Sequence, residues 1–210
     1  MLERIHWLGH DAFRIDGPPT IYIDPYELDE GNPKADLILI SHDHHDHCSP
    51  EDVDQIRDEE TVIVTISSAV EKLSGDIRVV EPGSSLIVKG VDVEAVPAYN
   101  VNKFRSPGEP FHPKEAGHVG FVITMDDKRI YHAGDTDHIP EMGDLQGIDI
   151  ALLPVSGKYV MTAEEAVGAA ETIRPQVAIP MHVGRGIGSL EAAETFKVQA
   201  PVKVVVLEME

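Results

Sequence analysis

The sequence holds a single cysteine, Cys48, among 210 residues, so neither an intrachain disulfide nor a multi-cysteine metal site is available. That scarcity fits a reducing compartment. Cations are few as well: 17 Lys plus Arg stand against 37 Asp plus Glu, a formal charge of −20 with neutral histidines. A surface this negative repels phosphate backbones and anionic lipid, so neither nucleic acid nor a membrane is expected as a partner. No apolar run reaches the roughly 18 residues of a membrane-spanning helix. Met1-Leu2-Glu3-Arg4-Ile5-His6 lacks the basic-then-apolar layout of a secretion signal, and a cytoplasmic chain is expected. Gly/Ser linkers, low-complexity tracts and short-period repeats are also missing. A chain of this length can bury about 70% of its unfolded surface, and 1–210 reads as one domain. A homo-oligomer is compatible with it.

What the chain does contain is a long series of short strands with few helices. Leu2–Leu8, Ala12–Ile15 and Thr20–Ile23 read as strands broken by Gly17-Pro18-Pro19. Ala35–Ser41, with the apolar run Leu37–Ile40 inside it, suits a strand buried on both faces. Ser49 and Pro50 open a helix over Glu51–Asp58. Thr61–Ile66, Ile77–Val80, Ser84–Val88 and Val91–Pro97 follow as strands, with a helical stretch at Ser67–Ser74. Residues 98–117 show no periodicity and read as a long functional loop. His118–Met125 and Lys128–Ala133 form a hairpin around Asp126-Asp127, and Ile148–Pro154, Gln176–Met181 and Val202–Leu207 are later strands. Thr162–Ile173 carries a capping box, Thr162 with Glu165, and an alanine-lined face; Ser189–Gln199 is the last helix. Strands outnumbering helices that occur in both halves imply an α/β fold of two sheets with helices outside.

The histidines are unevenly spread. From residue 41 the chain reads Ser41-His42-Asp43-His44-His45-Asp46-His47, starting where the apolar run ends, which is where α/β folds expose their sites. Imidazole nitrogens and carboxylate oxygens are ligands for zinc and similar divalent ions. On a tight turn His42 and His44 can point to one side and Asp46 and His47 to the other, serving two adjacent ions. A histidine-rich surface loop is the plain alternative. Two distant segments weigh against it: His132-Ala133-Gly134-Asp135-Thr136 and Pro180-Met181-His182 also end expected strands in ligand-type residues.

His42-Asp43-His44-His45-Asp46-His47 resembles the His-x-His-x-Asp-His motif of the metallo-β-lactamase superfamily. Trp7-Leu8-Gly9-His10, Tyr22-Ile23-Asp24-Pro25, Ala133-Gly134-Asp135-Thr136 and Pro180-Met181-His182 follow in that family's order. The chain is also similar to the family's small hydrolases of the L-ascorbate-6-phosphate lactonase kind. The resemblance implies an αββα sandwich, two mixed sheets with outer helices and a metal cleft at one edge. It implies one or two divalent ions per chain, zinc or manganese. His42 and His44 would hold the first ion, Asp46 and His47 the second; Asp135 would bridge them and His182 would complete the second. Where the family supplies a third histidine for the first ion, this chain has Asn100. His112 is the preferred substitute, with His118 or a single-ion site completed by water as alternatives. His10 and Asp24 would lie beside the site, Asp24 on the second nitrogen of a ligand.

The chemistry that follows is hydrolysis. A divalent ion lowers the pKa of bound water from about 15.7 to about 7, giving a hydroxide that attacks an ester, lactone or phosphoester without a nucleophilic side chain. Asp46 would orient it, and His182 or a neighbouring histidine would pass a proton to the leaving group. Cys48 reads as a small side chain packed under the histidine turn. Lys103, Arg105 and Lys114 concentrate positive charge in the 98–117 loop, which would steer a small anionic substrate. Asn100, Lys103 and Tyr159 are the candidate substrate contacts. Two other functions share the motif: a metal-dependent nuclease or phosphodiesterase, which the −20 charge opposes, and a non-enzymatic metal-binding protein, which needs no substrate cleft.

Overall fold

A computed structural model describes residues 1–210. Its first sheet runs β1 (Ile5–Gly9), β2 (Ala12–Ile15), β3 (Ile21–Ile23), β4 (Leu37–Ile40), β5 (Val62–Ile66) and β6 (Asp76–Val80), in that spatial order. The first three pair antiparallel and the rest parallel. β4 and β5 are buried along their whole length, as continuous apolar strands between two covered faces must be. The remaining strands are β7 (Ser85–Val88), β8 (Val91–Pro97), β9 (Phe104–Ser106), β10 (Glu109–Pro110), β11 (Val119–Met125), β12 (Lys128–His132), β13 (Ile150–Pro154), β14 (Val177–Met181) and β15 (Lys203–Val204). The second sheet takes the order β15-β14-β13-β12-β11-β8-β7, antiparallel from β7 to β12 and parallel from β12 to β15.

Helix α1 (Pro50–Ile56) starts at Ser49, whose side chain accepts from Asp52 N, and buries Val53 and Ile56. α2 (Ala163–Ile173) has the expected capping box, and Ala163, Ala166, Ala169, Ala170 and Ile173 are all buried. That small-residue face lets α2 pack closely on β13 and against α3 (Leu190–Gln199). The result is the expected α/β sandwich of two mixed sheets with outer helices. Fully buried side chains such as Phe13, Phe121 and Phe196 each contribute about 2–3 kcal/mol by leaving water. No helix is long and apolar enough to cross a membrane.

Four local expectations need correction. The first strand begins only at Ile5, because Leu2–Arg4 is a 3-10 turn. Ser67–Lys72 is also 3-10 rather than α-helical. The 98–117 stretch is not featureless: β9 and β10 form a short hairpin, and Lys114–Ala116 is a 3-10 turn. The closing strand shrinks from Val202–Leu207 to two residues, since after Val205 the chain leaves β14 and crosses to β1, where Glu210 N donates to Trp7 O.

Two glycines set how closely the site segments meet. A Cβ on Gly134, at φ +63°, would stand 2.8 Å from Val119 O and 3.3 Å from Ser41 Cβ. A Cβ on Gly120 would stand 2.7 Å from the carbonyl oxygens of His132 and Ala133. Real Cβ atoms do not approach backbone so closely, so only glycine lets the turn after β12 press against the end of β4.

Candidate metal centre

β4, β12 and β14 end at one edge of the sandwich. There they deliver the histidine turn 42–47, Asp135 and His182, while the β1–β2 turn brings His10 and Asp11, and the 98–118 segment brings His112. The donor atoms of His42, His44 and His112 lie within 4.8 Å of one another, as do those of His10, Asp11, His47 and His182. Asp135 stands between the groups. Its carboxylate oxygens are 3.2 Å from His112 Nε2, 3.3 Å from His47 Nε2 and 3.5 Å from His182 Nε2. Two donors each about 2.1 Å from one tetrahedral ion stand about 3.4 Å apart, a separation that ion pairs share with the ligands of one ion.

The backbone and its neighbours aim the rings. Each of four histidines donates through Nδ1 and turns Nε2 to the centre. His42 donates to Ser41 Oγ at 2.9 Å, His47 to Asp24 Oδ2 at 2.8 Å, His112 to Asn100 Oδ1 at 3.0 Å and His182 to Ser156 Oγ at 2.8 Å. His44 instead presents Nδ1, 3.1 Å from His42 Nε2. Asp24 is fully buried and also accepts from Ser41 N at 2.7 Å and Ser41 Oγ at 2.6 Å, so one carboxylate orients two of the rings, His42 through Ser41. Partners of this kind fix ligand orientation and basicity. Asp24→Ala is therefore expected to weaken metal binding about 10- to 100-fold, read by competition with a chromophoric chelator; unchanged affinity would show that His47 is held without it.

The centre is built for positive charge. His10 Nδ1 and Nε2, both oxygens of Asp11, His47 Nε2, Asp135 Oδ1 and His182 Nε2 are buried with no hydrogen-bond partner. Buried polar atoms are rarely left so unless something not polypeptide meets them. Burial pushes the Asp135 carboxyl up, but the charges of His47 and His182 outweigh it and hold Asp135 well below the ordinary range. Burial likewise pulls His47 down, while Asp135 and Asp24 lift it well above the usual histidine value. Burial lowers His10 to about 4, against the opposing pull of Asp46. The orphaned atoms, their spacing and their nitrogen–oxygen mixture fit divalent ions.

A β-lactamase superfamily domain model matches residues 4–182. The chain belongs to the metallo-β-lactamase superfamily. A UPF0173 metal-dependent hydrolase of Methanopyrus kandleri is 35% identical, over 98% of this chain and 96% of that one. A crystal structure from Parabacteroides distasonis has a TM-score of 0.86 at 33% identity, covering 98% of this chain and 93% of the other. Igni18, a metallo hydrolase from the archaeon Ignicoccus hospitalis, has a TM-score of 0.75 at 26% identity, covering 97% and 94%.

Within this member of the superfamily the other expected residues divide. Asp46 reaches the cleft, with Oδ2 3.4 Å from His10 Nε2. His118 stacks on His42 at 4.8 Å rather than joining the His42, His44 and His112 group. His45 is exposed at the cleft mouth. Cys48 is buried beneath the turn and contributes to no donor group; burial raises its thiol to about 11. Of the substrate candidates, Tyr159 lines the cleft and two do not. The Asn100 side chain is spent on His112 and on Tyr159 O. Lys103 is bound by Glu165 at 2.6 Å with Asp137 at 3.5 Å. Lys114 is similarly paired with Glu141, so only Arg105 of the three loop cations faces the cleft. Asp11, Phe111 and Lys158 also belong to the centre and its cleft, and the sequence does not mark them. The first had no spacing to mark it; the last two had only their neighbours His112 and Tyr159 as signals.

Proposed function

We propose that this metal-dependent hydrolase of the metallo-β-lactamase superfamily cleaves a small anionic ester, lactone or phosphoester. The observation that carries the reading is the meeting of two donor groups at Asp135 in a cleft of about 380 Å³. His42, His44, His112 and Asp135 would hold one divalent ion; Asp46, His47, His182 and Asp135 would hold the other. Zinc suits the imidazole trio, and manganese suits ligands richer in oxygen. Bound divalent ions supply Lewis acidity and lower the pKa of water toward about 7.

The side chains do the rest. Burial pushes Asp46 up, but the nearby His10 ring and the His47 charge outweigh it and hold Asp46 below the ordinary carboxylate range. Asp46 would orient the attacking water, and His182 or a neighbouring histidine would pass a proton to the leaving group. Arg105 and Lys158 flank the mouth without a carboxylate partner, while 11 of the 17 cations are paired. They lie over Phe111 and Tyr159, whose rings meet edge to face at 4.7 Å. Two cations above an aromatic wall suit a small molecule with an apolar body and one anionic group. A polyanionic strand would meet the −20 charge beyond them.

The test is hydrolysis of a panel of lactones, esters and phosphodiesters by metal-loaded protein, with and without the pair Arg105→Gln and Lys158→Gln. The double variant is expected to raise KM about tenfold for anionic substrates, leaving kcat and neutral esters nearly unchanged. Absence of turnover on every member of the panel would refute the reading.

A further inference from the structure

We propose that Asp11 is a carboxylate ligand of the ion held by His47 and His182. The inference rests on the metal-hydrolase reading above and adds to it a residue that the histidine motif does not contain.

Asp11 is wholly buried, and neither of its carboxylate oxygens has a hydrogen-bond partner. A lone ionised carboxylate in such a place is among the most unfavourable groups a fold can bury, and the cost is relieved by pairing or by a cation. The nearest positive side chain is His47, whose Nε2 is 4.0 Å from Asp11 Oδ2, too far for a hydrogen bond. The donor atoms of Asp11, His10, His47 and His182 nevertheless all lie within 4.8 Å of one another. The backbone holds Asp11 in this place: His132 Nε2 donates to Asp11 O at 3.0 Å, His182 N donates to His10 O at 3.2 Å, and Trp7 Nε1 donates to the same carbonyl at 3.0 Å. His10 itself takes φ +52°, a turn conformation that L residues adopt only under constraint. The side chain is thus pinned beside the second donor group by three strand ends. It is the one carboxylate of that donor group, beside the imidazoles of His10, His47 and His182.

The competing role for Asp11 is a protonated carboxyl that donates to Asp135. Asp11→Asn separates the two, because asparagine keeps an N–H donor of similar size and loses the charge. Wild-type protein, stripped and dialysed against manganese or zinc, is expected to take up two ions per chain. Asp11→Asn is expected to keep the ion of His42, His44 and His112 and to weaken the other about tenfold or more. Asp11→Ser, which removes both charge and bulk, should behave the same way. Two ions of unchanged affinity in Asp11→Asn overturn the proposal, and a wild type that takes up no ion overturns the hydrolase reading itself. If neither variant folds by circular dichroism, the wild type decides. Loaded with a magnetically active cadmium isotope and carboxyl-labelled aspartate, it should show scalar coupling to cadmium at three aspartate carboxyls; coupling at only two overturns the assignment.

Discussion

Asp135→Ala is expected to strip bound metal from both positions and to cut hydrolysis about a thousandfold. Its oxygens lie 3.2 to 3.5 Å from the Nε2 atoms of His112 in one donor group and of His47 and His182 in the other. Without it, the His42, His44 and His112 group has no carboxylate of its own, and nothing joins it to the group of His47 and His182. The loss would not be confined to one ion, as it would be for a residue at the rim. Asp135→Asn is the sharper variant, since it preserves volume and removes only the charge; a similar loss there assigns the effect to electrostatics. Metal analysis and turnover on the best substrate of the panel check both. Full metal with full turnover in Asp135→Ala would end the proposed ligand assignment.

Chelation is expected to lower the melting temperature by about 8–16 °C. Seven buried polar atoms of the centre have no partner in the polypeptide, and each such atom costs about 1–3 kcal/mol when nothing meets it. An ion present at a thousand times its Kd stabilises the folded state by about 4 kcal/mol. For a domain of this size each kcal/mol moves the midpoint about 2–4 °C. Differential scanning calorimetry before and after chelation, and again after zinc or manganese is restored, gives the measurement. A shift below one degree would mean that the orphaned atoms are met by something other than an ion.

The features legible in the sequence are those written locally. Thr162 and Glu165 are three residues apart, so their reciprocal cap was readable without knowing the fold. The histidine turn was readable because its ligand-type residues are consecutive and follow an apolar strand. What escaped depended on distance along the chain. Lys103 looked free in a loop, yet its partner Glu165 is 62 residues away on α2. Asn100 stood where a ligand was expected and instead carries His112, 12 residues on, because an amide oxygen that accepts from both the His112 backbone and ring fixes that ring's direction. Asp11 sits in a strand break with no periodicity to mark it, and only the convergence of β1, β12 and β14 shows where its carboxylate lies. Val202–Leu207 reads as a longer strand because every residue in it but Lys203 is apolar, while its last residues serve a crossing to β1 rather than a sheet.

The division of the donors between the two sheets sets when the protein can acquire its ion. During synthesis the histidine turn leaves the ribosome long before Asp135 and His182 exist as part of the nascent chain. Until β12 and β14 have docked, the early segment offers an ion no bridging carboxylate and no closing imidazole. Loading is therefore a late event, belonging to the finished polypeptide rather than to its birth. Because the large apolar interior does not include the ion, newly made protein can wait, already shaped, for the cell to provide one.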